Sequence, residues 1–222
     1  MKKFKTHIMI FLGVLLFLGY HSALLQDRSS KEYYSWLKVH QDEIVRSQKK
    51  QKILLEKDFK FNGLEIIIVS EGEKYYSWWG HILLRLVGSG NDNPDEDLVI
   101  SFLADFNDFP LNKLKAGLGG YEVMVKTDTL AQYKKEYMEK EHRTMSYSTL
   151  ISTAEQNSRL LSTIRTWILN PKTPGLYSFF FKNCVGLMNH LLYEARILKQ
   201  TGFYGYFPKY VISSYKNSGI IK

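Results

Sequence analysis

The chain has 222 residues, 45% hydrophobic and 14% aromatic, which is ample for one buried core with additions and excludes collagen-like and disordered classes. Its net charge of +8 is uneven: residues 1–60 carry 12 Lys/Arg against 6 Asp/Glu, whereas residues 61–222 carry 18 against 16. A nearly neutral globular part with no basic helix or RNA-binding signature excludes nucleic acid as a partner.

Residues 1–28 read as a signal or anchor segment. "MKKFK" is a positive start, and the dense apolar core Ile8–Tyr20 has the length of a signal-peptide centre. Neither His21 nor Tyr20 suits the position three residues before a cleavage point, and no cysteine follows that would make a lipoprotein signal. An uncleaved anchor is therefore expected, the alternative being a cleaved signal and release into the periplasm. Lys2, Lys3 and Lys5 hold the N-terminus in the cytoplasm and send the remainder outside. Residues 29–60 predict a helical stalk started by Ser29 or Ser30. Its apolar positions are sparse (Trp36, Leu37, Ile44, Val45, then Ile53–Leu55), so it is expected to be solvated and to dock only at its far end.

The globular domain is expected over 61–222. "LEIIIVS" (64–70), bounded by Gly63 and Gly72, predicts a buried strand, and "HILLRLVG" (81–88) a second, apolar on both faces. The loop "SGNDNPDED" (89–97) leads to a third, "LVISFL" (98–103), and "YEVMVKT" (121–127) alternates as a fourth. Between these last two, Gly117, Gly119 and Gly120 read as a loop or turn. Helices are predicted over about 129–142 and 153–169, the latter with Leu160, Leu161, Ile164, Trp167 and Ile168 on one face. "LYSFFF" (176–181) predicts a fifth strand, 184–197 a helix, and the residues after Pro208 a short last one. Strands and helices do not alternate regularly, so the class is α+β.

Cys184 is the only cysteine. On the outer side of the membrane it cannot form an internal disulfide, which leaves a packed thiol, a dimer link or a nucleophile. Its helix turns it inward with Met188, Leu191 and Ala195, and its place in the first turn favours a thiolate. A nucleophile needs a base. His7 and His21 lie in the anchor, His40 in the stalk, and His142 among charges. His190 projects about 120° away from the thiol. His81 remains: it opens an apolar strand and shares a face with Leu83. A histidine at a strand start and a cysteine at a buried helix start suit a papain-like dyad, although a hydrogen-bonded core histidine fits the same position. No metal or cofactor is expected, because one cysteine and scattered histidines lack ligand spacing.

Three blocks resemble a known family. "SWWGHILLRL" (77–86) is similar to the small-x-aromatic-Gly-His-x-x-Leu-Arg pattern of the Lnb-type N-terminal periplasmic domain. "YKKEYMEKEHRTMSYSTL" (133–150) resembles its Tyr-rich segment with Glu-x-Arg, and "YSFFFKNC" (177–184) its Tyr-x-aromatic-aromatic-x-x-Asn-Cys box. The resemblance implies kinship with Bacteroides-type lipoprotein N-acyltransferases and a circularly permuted papain-like (NlpC-type) fold, in which an antiparallel sheet packs on a Cys-bearing helix. It makes Cys184 the nucleophile, His81 its base, Asn183 the residue before the family cysteine, and Glu141 and Arg143 an ion pair beneath the site. Ser77, Trp79 and Tyr177 fall at family positions around that site. The chain departs from the family at "ISFLADF" (100–106), where Ser101 stands for an Asn; Ser101 and Asp105 are the candidates for the third polar residue.

The expected activity is a cysteine acyltransferase at the outer face of the cytoplasmic membrane. An acyl-thioester on Cys184 would be formed from phospholipid and passed to an amine such as a lipoprotein N-terminus. Tyr75, Tyr76, Trp78 and Trp79 suit a membrane-facing rim, with core packing of Trp78 or Trp79 the alternative. The rival readings are a thiol amidase or peptidase acting on cell-wall (peptidoglycan) peptides and a non-enzymatic envelope module.

Overall fold

The β-branched runs pair into a single six-stranded antiparallel sheet. The computed structural model describes residues 30–73, 77–90, 92–105, 112–180, 182–199 and 207–222; the predicted signal or anchor segment, Tyr75 and Tyr76 lie outside them. In chain order the elements are α1 (Ser30–Leu55), β1 (Gly63–Val69), β2 (His81–Val87), β3 (Leu98–Ala104), α2 (Lys113–Leu118), β4 (Tyr121–Thr129), α3 (Leu130–Lys134), β5 (Met145–Leu150), α4 (Ala154–Leu169), β6 (Leu176–Tyr177), α5 (Cys184–Glu194) and α6 (Pro208–Asn217). The strand order is β5-β1-β2-β3-β4-β6. The architecture is α+β. No helix among the described residues is long and apolar enough to cross a membrane.

Both faces of the central strands are covered, which is why β2 and β3 read as apolar throughout. One face places Ile66, Ile82, Leu84, Ile100 and Phe102 against α4 and α5. The other places Ile67, Val69, Leu83 and Val99 under Leu130, Tyr133 and Tyr137. Within α5, Leu187, Met188, Leu191 and Leu192 are fully buried. At ~1.5–3 kcal/mol for each such side chain, this packing fixes the helix, and with it Cys184, against the sheet.

Four expectations change. First, from His40 onward α1 is no solvated stalk. It lies along β4, where Ser47 Oγ accepts from Thr127 N–H at 2.9 Å, Gln51 donates to the Val125 carbonyl, and Leu54 enters the core. The contacts go to backbone, so a polar sequence makes them. Second, "MSYSTL" forms the edge strand β5, with Leu64↔Leu150 through Val69↔Met145 in register; much of it stays solvated, so it carries no long apolar run. Third, the fifth predicted strand shrinks to Leu176–Tyr177, because a tight bridge between Ser178 and Lys182 turns the chain. Fourth, the predicted 129–142 helix is α-helical only to Lys134 and continues as a π-helical turn, Lys135–Lys140. Gly117 lies in the last turn of the short helix α2, and Gly119 caps it with φ +97°.

Candidate active site

Gly80 delivers His81 to the start of β2. Its φ is +79°, and a Cβ there would sit 2.6 Å from the Val69 carbonyl oxygen, so only glycine fits the turn. Ser77 closes the same turn, its carbonyl accepting from the N–H groups of Gly72 and Gly80, both at 3.0 Å. Trp79 leans on Phe207 at 5.8 Å between ring centroids, while Trp78 is 56% exposed. Both therefore belong to a rim beside the site and not to the core.

His81 and Cys184 come from opposite faces of the sheet. Val69↔His81 pairing turns the imidazole toward the Tyr133–Tyr137 side, with its ring 6.2 Å from that of Tyr137. Cys184, on α5, belongs to the other cluster. The β2–β3 ladder has its last pair at Leu83↔Ser101 and does not continue to Ile82 and His81, whereas β3 pairs β4 as far as Ala104. At that opening the Cys184 thiol comes within reach of the Ile82 backbone N–H, the residue next to His81. The thiol thus reaches the backbone beside His81, and no hydrogen bond joins it to the imidazole among the described residues.

Between the two polar candidates on the third strand the geometry chooses Ser101. Its Oγ lies 2.6 Å from His81 Nε2, and both groups are buried. Asp105 instead faces His40 at 3.8 Å. Ser101 acts through the imidazole, so it is a positioning residue. Asn183 caps α5: its Oδ1 accepts from the N–H groups of Val185 (3.0 Å) and Gly186 (3.2 Å), and Nδ2 donates to the Phe179 carbonyl. Tyr177 is buried with its phenol beside the Cys184 backbone N–H. His190 pairs with Glu194 at 3.5 Å, away from the thiol.

Glu141 and Arg143 do form an ion pair, Arg143 Nη1 to Glu141 at 2.8 Å. Arg143 also donates to the Ser70 carbonyl at 2.7 Å and stacks 4.9 Å above the Tyr137 ring. Its Nη2 is buried with no hydrogen-bond partner among the described residues, so one face of the guanidinium keeps unused donors. The sequence reading did not single out Tyr133, Tyr137 and Lys126. Their signal was present in part: Tyr133 and Tyr137 stand four apart on one helical face and stack at 6.0 Å.

The charges set the resting state. Burial, then the Arg143 and Lys126 cations, lower His81 from 6.5 to about 3. Burial raises Cys184 from 9.0 to about 11, opposed by backbone N–H groups and Arg143. The pair therefore rests as neutral thiol and neutral imidazole. Linkage gives a measurable consequence. Below pH 6.5 the unfolded chain takes up a proton that folded His81 refuses, so stability falls as pH drops toward about 3. Above pH 9.0 the unfolded chain releases a proton that folded Cys184 keeps, so stability falls as pH rises toward about 11. Urea midpoints should be flat between these limits. His81→Gln should weaken the acid limb, and Cys184→Ala the onset of the alkaline one between about pH 9 and 10. Above that, the buried Tyr133, Tyr137 and Tyr177 phenols, raised by burial, add their own loss.

These positions can be set against known proteins. Searches of curated proteins and of solved structures return no match. The model of the Lnb N-terminal periplasmic domain matches residues 50–208. That span holds His81, Ser101, Arg143 and Cys184, and it starts within α1, which docks on the sheet. The chain belongs to the Lnb N-terminal periplasmic domain family.

Proposed function

We propose that this domain is a cysteine acyltransferase of the cell envelope, with the permuted papain-like arrangement in which the histidine strand precedes the cysteine helix. The observation that carries the reading is the opening of the β2–β3 ladder. There the Cys184 thiol at a helix start reaches the Ile82 N–H, while His81, the residue before it, meets Ser101. Because both groups rest neutral, His81 acts as a general base during attack and not as half of a preformed ion pair. The missing thiol–imidazole hydrogen bond agrees with an unliganded site, where such bonds are often loose.

In the first step the Cys184 sulfur attacks the ester carbonyl of a phospholipid, and His81 accepts the thiol proton. The Cys184 N–H points to the Tyr177 phenol oxygen, and the phenol's own proton would serve the oxyanion. The carbon–oxygen bond then breaks, and the proton passes from His81 to the departing lysophospholipid alkoxide. In the second step an amine attacks the thioester, forming an amide and returning the proton to sulfur. Arg143 favours the thiolate character that develops on the way.

Two features favour a lipid donor over a cell-wall peptide. Cys184 and His81 are only 5% and 8% exposed, and the thiol is surrounded by apolar residues of the core. The exposed aromatics Trp78 and Tyr210, with Trp79 against Phe207, stand beside the Gly80 turn, where Trp and Tyr suit a membrane interface. Residues 1–28 would hold the domain at that surface. The test supplies the full chain with phospholipid vesicles and an N-terminal lipopeptide amine. Release of lysophospholipid with matching N-acylation is expected; cleavage of a muropeptide with no lysophospholipid would replace this reading by the amidase one.

A further inference from the structure

A serine hydroxyl is an ambiguous partner for a catalytic histidine, because it can donate to the ring or accept from it. Were Ser101 to donate to His81 Nε2, the ring proton would sit on Nδ1 and no basic nitrogen would remain. Asn or Asp side-chain oxygens avoid this, since they only accept. The surroundings of Ser101 remove the ambiguity.

Ser101 on β3 is in register with Lys126 on β4, and Tyr133 of α3 is fully buried above this pair. The Tyr133 hydroxyl lies 3.3 Å from the Lys126 carbonyl oxygen. A carbonyl only accepts, so the phenol must donate there. Burial keeps that phenol protonated, and the stacked Tyr137 ring and the Lys126 ammonium 5.5 Å from its own ring hold it in place. The register sets the Ser101 hydroxyl beside that phenol, whose oxygen has a lone pair left to take the serine proton. With its one proton committed, Ser101 Oγ accepts from His81 at 2.6 Å.

We infer that Tyr133 is a positioning residue which sets the tautomer of His81: a one-way chain His81 Nε2–H, Ser101, Tyr133, Lys126 carbonyl leaves the lone pair on Nδ1. Its use in catalysis rests on the Cys184–His81 reading above, but the tautomer itself does not.

The test is two-bond proton–nitrogen NMR of the full chain labelled with 15N-histidine, with the His81 signals identified by their loss in His81→Gln. The wild type should show His81 protonated on Nε2. In Tyr133→Phe the Ser101 hydroxyl is released to donate to the ring, and the Nδ1–H tautomer should appear. Adding Ser101→Ala should abolish the difference made by Tyr133→Phe, because the two act through one path. An Nδ1–H ring in the wild type overturns the inference even should Tyr133→Phe fail to fold, and so does a folded Tyr133→Phe with an unchanged His81 spectrum. The predicted tautomer shift without any acyl transfer would leave the inference standing and sink only the proposed function.

Discussion

Cys184→Ala is expected to abolish acyl transfer, on the order of 10⁶-fold by the scale of nucleophile removal, while the domain stays folded. The thiol is small, and α5 is held by Leu187, Met188, Leu191 and Leu192, all fully buried. Loss of one sulfur from such a core leaves a small cavity, and circular dichroism and the urea midpoint at neutral pH should change little. Cys184→Ser keeps the volume but replaces sulfur by a much weaker nucleophile whose proton His81, lowered to about 3, is poorly placed to remove. It should be as inactive as the alanine variant. Lysophospholipid release measured beside the folding controls checks both variants, and full activity in Cys184→Ser would end the nucleophile assignment.

The second large effect falls on His81. His81→Ala removes the base but leaves the sulfur, its Ile82 N–H neighbour and the α5 start untouched, so the rate should fall by ~10²–10⁴-fold. It also deprives the buried Ser101 hydroxyl of its 2.6 Å partner, at a stability cost of about 1–3 kcal/mol. The two losses separate in the pH profile. With no base, the residual reaction has to proceed through thiolate already present, so it should rise with pH toward about 11, the region where Cys184 ionises. Wild-type activity, served by an imidazole neutral down to about pH 3, should lack a loss near pH 6.5 from His81 protonation. Parallel pH profiles for the two proteins would contradict the base assignment.

The parts of this site readable from sequence were those set by local pattern. Gly80–His81 followed by an apolar run marks a strand start, and α5 periodicity turns Cys184 inward, as found. The Glu141–Arg143 pair came from the family's Glu-x-Arg and is present. Other parts depend on contacts between distant segments. Ser101 and Asp105 were equal candidates because strand parity alone does not say where a ladder ends; the last β2–β3 pair, Leu83↔Ser101, decides it. Tyr133 acquires meaning only through the Ser101↔Lys126 register, which joins β3 to β4. The docking of α1 runs through Ser47 and Gln51 to the backbone of β4, and hydrophobic patterning cannot register such contacts. Edge strand β5 escaped for a related reason, since its outer residues satisfy solvent and not a core.

The central claim is that Cys184 carries an acyl group. Intact-mass spectrometry of the purified chain after incubation with phospholipid and without an amine acceptor tests it most directly. The account predicts a mass increase of one fatty-acyl group, mapped to Cys184, removed by hydroxylamine and absent from Cys184→Ala. An unmodified mass, under conditions where the same preparation releases lysophospholipid, would show that the acyl group never resides on this thiol.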